Sequence, residues 1–226
     1  MNDKFNVITR LTRNPLITQI IFCIFVATFL FSCEDKTVDY GLDKYYVEIV
    51  TAQSENVFLS DNGNLIIATS NGNKKSYNSG DRVLINYTLL ETAASGDFNV
   101  RINGSAKIPQ GKITLTEEAN INSSAKDPVL LESVWLGSHY LNMQFYINYK
   151  SASHKIGLLT DPTSLESDTI RIYFVHDINS DTPGYPSHTY LSFDLKDVLG
   201  EPGKSRPVSV QINTSNYGNK IYDFEY

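Results

Sequence analysis

From His139 to Lys150 (HYLNMQFYINYK) the side chains alternate with a period of two. Leu141, Met143, Phe145, Ile147 and Tyr149 fall on one face, and Tyr140, Asn142, Gln144, Tyr146 and Asn148 on the other. Successive residues of an extended strand point to opposite sides, so this register fits a half-buried β-strand and not a helix. The same period governs the chain from about residue 44 onward, and no useful length carries the 3.6-residue period of a helix. At 226 residues, 41% of them hydrophobic, there is apolar material for one large or two small cores. The composition excludes a disordered chain, a collagen and a coiled coil. The expected class is all-β.

In the first half, Val47, Ile49 and Thr51 alternate with Glu48 and Val50, and Asn62-Gly63 is a favoured two-residue hairpin turn ahead of Asn64–Ser70. With Arg82–Glu91, Phe98–Gly104 and Lys107–Thr116 these make about five short strands, which fit a small closed barrel over residues 44–118. Residues 117–127 (EEANINSSAKD) are polar without an apolar pattern, and the domain boundary is expected there. Over 127–226 the strand candidates are Val129–Leu136, His139–Lys150, His154–Thr160, Thr169–His176, Thr189–Leu195, Pro207–Asn213 and Lys220–Tyr226. These seven suffice for two packed sheets, a β-sandwich of the immunoglobulin-like kind. A single helical turn is expected within Asp194–Leu199.

The N-terminus carries an address. Lys4, Arg10 and Arg13 precede an uncharged run from Leu16 to Phe31, which as a helix would reach about 24 Å, short of a hydrocarbon core of about 30 Å. Basic start, short apolar stretch and a small residue before the cut make residues 1–32 a secretory signal peptide. A span that stays attached is the alternative, which length and flanks disfavour. Leu30-Phe31-Ser32-Cys33 resembles a bacterial lipobox, with Ser32 and Cys33 flanking the cleavage point and Cys33 receiving the lipid. Phe31 departs from the small or β-branched residue usual there. Two acyl chains give stable anchoring without a membrane span. Cys23 leaves with the signal peptide, so an acylated Cys33 excludes a disulfide framework. Maturation leaves 16 basic against 24 acidic side chains, with residues 33–43 as an acidic tether.

Little in the motifs points to chemistry. None of His139, His154, His176 and His188 stands three or four residues from another, so there is no local zinc pair. Asp177, Asn179 and Asp181 have the spacing that opens a calcium loop, but Thr182 replaces the glycine of the turn and His188 the closing glutamate. Ser138-His139 and Ser187-His188 would point to opposite faces if they lay on strands. No G-x-S-x-G elbow, glycine-rich phosphate loop or H-E-x-x-H helix is present. The expectation is no catalytic residue, no metal and no cofactor.

The order of features resembles the NigD-like lipoproteins of Bacteroidetes. The residues that carry the likeness are Asp61-Asn62-Gly63-Asn64-Leu65, Gly80-Asp81-Arg82-Val83, Tyr140 to Phe145, His154 to Leu158, His176-Asp177, Pro183-Gly184-Tyr185-Pro186 and Tyr190 to Leu195. The resemblance implies an OB-like barrel followed by a β-sandwich on an outer-membrane lipoprotein, with a bacteriocin association behind the family name. It brings no catalytic residues. Glu34-Asp35 resembles a surface-export signal that Lys36 cuts short, which leaves the membrane face open. OB-like barrels often bind single-stranded nucleic acid through a basic groove, but residues 43–118 hold seven basic and nine acidic side chains. Nucleic acid is therefore not the expected partner.

The expected role is non-catalytic binding of a protein partner at the envelope. A surface glycan bound through exposed tyrosines is the alternative, and an unrecognised hydrolase the second. The candidate binding loop is Asp177–His188 (DINSDTPGYPSH), with Asp177, Asn179, Asp181, Tyr185 and His188 as its candidate residues. Pro183, Gly184 and Pro186 restrict its backbone, so Tyr185 would be presented on a shaped loop.

Overall fold

A computed structural model describes residues 44–71, 75–200 and 206–226. The signal peptide 1–32, the tether 33–43 and, with them, Ser32 and Cys33 lie outside the described residues.

The barrel consists of β1 (Tyr45–Ser54), β2 (Val57–Ser60), β3 (Leu65–Asn71), β4 (Arg82–Thr92) and β5 (Phe98–Lys107). It closes in the order β1-β2-β3-β5-β4, with β4 pairing back to β1 and β3 parallel to β5. This is the OB-like architecture. Alternation drives it: Val83, Ile85, Tyr87 and Leu89 of β4 are buried together with Val50, Phe58, Ile66, Phe98 and Val100. The chain turns at Asn62-Gly63, but not as the expected two-residue turn: Asp61, Asn62 and Gly63 form a three-residue loop in which Gly63 has φ 89° and donates its N–H to the Ser60 carbonyl, while the Ser60 N–H donates to the Asn64 carbonyl.

Eight further strands make the second unit: β6 (Gln110–Leu115), β7 (Leu130–Gly137), β8 (Tyr140–Tyr149), β9 (Lys155–Thr160), β10 (Ile170–Asp177), β11 (Tyr185–Asp194), β12 (Pro207–Thr214) and β13 (Gly218–Glu225). Their order is β13-β12-β10-β9-β6-β11-β8-β7. β6 joins the two faces of the sandwich, because Gln110–Lys112 pair with β11 and Ile113–Leu115 with β9. Across the core Phe145 of β8 meets Phe174 of β10 edge-on, with ring centroids 5.7 Å apart. Burial of each such side chain stabilises the fold by about 1.5–3 kcal/mol. Among the described residues three short helices complete the unit: α1 (Glu118–Ser123), α2 (Pro162–Leu165) and α3 (Lys196–Leu199), the last within the helical turn expected at 194–199.

The structure differs from the sequence reading in several places: β2 lies in no strand candidate, and β11 begins at Tyr185 instead of Thr189, so the last four residues of the expected loop Asp177–His188 pair with β8. The stretch 107–116 is not one barrel strand, because the chain leaves the barrel at Ile108-Pro109 and re-enters pairing in the sandwich. Proline has no N–H for a ladder and restricts the residue before it, so the break falls there. The polar stretch 117–127 is thus not where the sheets part. It holds α1, whose Ile121 is buried.

Candidate functional site

The stretches that carried the resemblance meet in two places. The first is the junction of barrel and sandwich. Arg82, at the start of β4, has no exposed surface, and all five of its N–H groups are donated. Nε goes to Ser192 Oγ at 3.0 Å, and Nη1 goes to Thr51 Oγ1 at 2.9 Å and Asp61 Oδ1 at 2.6 Å. Nη2 goes to Asp61 Oδ2 at 2.8 Å and Asn142 Oδ1 at 2.9 Å. The Tyr140 ring lies 4.1 Å from the guanidinium carbon, and Asn142 Nδ2 donates to Asp61. A Cβ at Gly137 would run into the Asp61 carboxylate, so glycine permits that approach. β1, the β2–β3 turn and β4 of the barrel and strands β8 and β11 of the sandwich meet at one bidentate ion pair with complete partners. Its role is architectural.

The second meeting place is the opposite end of the sandwich, where the turn after β8 and the loop after β10 come together. β8 spans ten residues, so this tip lies about 30 Å along the strand from Tyr140. Asp181 organises it. Oδ2 accepts from the Lys150 N–H at 2.8 Å, and Oδ1 from the Ala152 N–H at 3.2 Å, while Ser151 N–H reaches both oxygens. These donors, Lys150 first, hold the Asp181 carboxyl down at about 2. Asp177 Oδ1 accepts from the Asn179 N–H at 2.7 Å, and Asn179 Nδ2 donates to the Ser153 carbonyl. Asn179 and Ser180 both take positive φ, 51° and 61°, a costly pair outside glycine. A Cβ at Gly184 would run into the Tyr149 carbonyl, which explains glycine at that approach.

The one-three-five spacing of Asp177, Asn179 and Asp181 serves the backbone of the loop. The Asp181 oxygens are taken by backbone donors, and among the described residues no group of three or more His, Cys, Asp or Glu is arranged for a metal ion. Where the loop ends and β11 begins stands Tyr185, 84% exposed, opposite Tyr149 in the β11–β8 register.

Beside it lies a pocket of about 220 Å³, lined in part by Asp127, Asn148, His154, His176, Asp181 and Pro183. His154 Nδ1 and His176 Nε2 are 2.8 Å apart, and His176 Nδ1 is 3.1 Å from the Asp127 carbonyl. His154 Nε2 faces Asp181 Oδ2 at 3.4 Å, with its side chain only 3% exposed. It is the one buried side-chain polar atom among the described residues without a hydrogen-bond partner. Burial pushes the His176 imidazole below the ordinary histidine value, with the Asp127 carbonyl opposing. Sequence reasoning did not pair these histidines. Each stood in a resembling stretch, but only the β9–β10 register brings them together.

His188 is not part of the tip. It stands opposite Tyr146 on the outer face of the sheet, stacked on that ring at 4.5 Å and bonded to Glu132 at 2.9 Å. Ser138 and His139 do not sit on a strand but form the turn between β7 and β8. Ser138 Oγ lies 3.2 Å from His139 Nδ1, while Asp194 is 3.9 Å from Nε2, beyond hydrogen-bond reach. That turn is no assembled triad.

Comparison with known proteins agrees with the architecture. A protein of unknown function DUF1344 from Bacteroides vulgatus superposes with a TM-score of 0.70 at 22% identity, over 81% of this chain and 91% of that one. A NigD-like immunity protein from Bacteroides caccae gives 0.60 at 22% identity, over 80% and 96%. A Bacteroides fragilis protein provisionally described as a lipoprotein gives 0.57 at 10% identity, over 81% and 98%. At these identities the likeness is one of fold. No curated protein matches the sequence. The profile of the NigD-like C-terminal beta sandwich domain matches residues 112–226, half of the chain, beginning within β6. A barrel closed in OB order, a sandwich entered through β6 and that profile match establish that the chain belongs to the NigD-like family.

Proposed function

We propose that this protein is a non-catalytic, lipid-anchored envelope protein that captures a protein partner through the tip of its sandwich. The observation that carries the reading is Tyr185, an 84% exposed ring that opens β11 at the end of a loop whose backbone is already fixed by Asp181 and closed over Gly184. A pre-ordered aromatic anchor loses little entropy on binding and provides large amphipathic contact area. The lipobox at Leu30–Cys33 supports tethering at the outer membrane. The immunity protein among the structural relatives favours a protein as the partner, in a bacteriocin-related setting.

The test is affinity capture from the native envelope with the full chain and with Tyr185→Ala. The expected result is a co-purifying protein that Tyr185→Ala loses, with unfolding free energy unchanged within about 0.5 kcal/mol. Capture untouched by the substitution overturns the site. A glycan array on which only the unsubstituted chain binds transfers it to the carbohydrate reading.

A further inference from the structure

The His154–His176 pair has a proton count fixed by its surroundings. The Asp127 carbonyl can only accept, so His176 Nδ1 carries the proton of their 3.1 Å contact. In a neutral His176 that leaves Nε2 as an acceptor, and the 2.8 Å contact then requires a proton on His154 Nδ1. His154 Nε2 is left bare, buried and 3.4 Å from a carboxylate oxygen, lone pair against charge. One added proton at Nε2 turns that opposition into a charge-assisted contact. A second would have to go to His176 Nε2, where it would meet the proton already on His154 Nδ1.

We infer that His154 and His176 form a one-proton clasp for the tip, tightened against Asp181 by a first proton on His154 Nε2 and forced apart by a second on His176 Nε2. Each neighbour is accounted for. Asp181 stays ionised well below the histidine range because its carboxyl is held at about 2. The Asp127 carboxylate is engaged by the Ile178 N–H, and Lys155 pairs with Asp177 at 3.6 Å. Lys126, beside His176, donates to the Ile121 and Ser124 carbonyls, and from β8 the uncharged Tyr149 ring meets His154 edge-on at 5.9 Å. Asp181 grips the turn backbone at Lys150, Ser151 and Ala152, so the state of the clasp is transmitted to the loop that ends at Tyr185. Regulation of capture by acidity follows where the tip is the capturing surface, and only that consequence rests on the functional reading.

The experiment is a titration of the full chain from pH 8 to pH 4, following imidazole nitrogens by NMR and amide exchange at Lys150, Ser151 and Ala152. The expected course is one proton taken up at His154 Nε2 with protection highest in that state. Uptake at His176 Nε2 then coincides with a loss of protection of about tenfold or more, a local opening short of unfolding. His154→Gln, whose side-chain amide does not titrate, should abolish the rise in protection. Two histidines that each become doubly protonated while protection stays flat overturn the clasp, as does an unchanged profile in His154→Gln. If that variant does not fold, the titration of the unsubstituted chain decides alone. Neither readout involves a partner, so the clasp can fail while capture through Tyr185 stands, and the reverse.

Discussion

Arg82 at the junction and His154 at the tip are both polar side chains taken out of water, and they are satisfied differently. Arg82 places all five protons on Ser192, Thr51, Asp61 and Asn142, and its charge is matched by a bidentate carboxylate. His154 leaves one ring nitrogen without a partner beside a charged oxygen. A complete buried network has one low-energy arrangement, since any change strands a donor or a charge. An incomplete one has at least two states that differ by a proton or a contact. The junction therefore fixes where barrel and sandwich sit, and the tip is where this fold can respond.

The largest effect should come from cutting the chain as its polar linker invites. A fragment of residues 127–226 lacks β6, which lies between β9 and β11 in the ladder. Removal leaves two open edges and uncovers Phe193, whose ring lies over Gly111. That fragment should show no cooperative unfolding by circular dichroism, while one beginning at Pro109 should. A folded 127–226 fragment would mean that the two faces cohere without their shared strand.

Next in size is Arg82→Met. It removes the cation and leaves the Asp61 carboxylate, 13% exposed, facing Asn142 alone. Breaking one side of a buried pair costs about 3–5 kcal/mol, readable as a shifted denaturant midpoint. Adding Asp61→Asn should recover part of that loss, because the stranded charge goes too. A loss below about 1 kcal/mol would reduce the junction to the level of a surface pair.

The tip should give a smaller effect with a pH signature. Asp181 has a lower carboxyl value folded than unfolded, so its contribution is complete above about pH 4 and is lost as pH falls through about 2. The folded value of His176 is also depressed, so its neutral burial is favourable above about pH 6.5 and is lost as pH falls through the lower folded value. Asp181→Asn keeps one acceptor oxygen for three amide donors. It should remove the first dependence, leave the second and speed exchange at Ser151 and Ala152, all measurable by denaturation across pH and amide exchange.

The sequence made the two regions unequally legible. Alternation in β8 assigned faces correctly: Leu141, Met143 and Phe145 are buried in the core, while Gln144 and Tyr146 lie on the outer face. Barrel closure followed from short strands and a readable Asn62-Gly63 turn. What alternation does not encode is the partner of each strand, and β6 pairs in parallel with strands far along the chain. Pro109 was the available signal for its break from the barrel. Arg82 looked like an ordinary polar strand start, because its burial depends on Asn142 and Ser192 arriving from the other unit. At the tip, the prolines and glycine marked restricted backbone, but they did not show that β11 already begins at Tyr185, and spacing grouped His188 with Tyr185. In the structure that histidine lies three residues along β11, about 10 Å away.

His188→Ala therefore gives the smallest expected effect, and it tests whether the outer face belongs to the tip. His188 bonds Glu132 at 2.9 Å, stacks on Tyr146 with centroids 4.5 Å apart and meets the Tyr190 ring at a tilt of 50°, with centroids 4.7 Å apart. The pair with Glu132 is partly exposed on both sides, at 34% and 38%, where such contacts contribute about 0–1 kcal/mol. Gln144 Nε2 also donates to Glu132, at 2.6 Å, so the carboxylate keeps a partner when the imidazole goes. Tyr146 loses a stacked neighbour and Tyr190 a tilted one, a contribution of about 0.5–1.5 kcal/mol. The sum should be a destabilisation of about 1 kcal/mol, read from the denaturant midpoint, with partner capture and the exchange of Lys150, Ser151 and Ala152 unchanged. Lost capture at intact stability would extend the working surface from Tyr185 along the sheet to His188, and the contrast would then lie between the junction and the whole outer face.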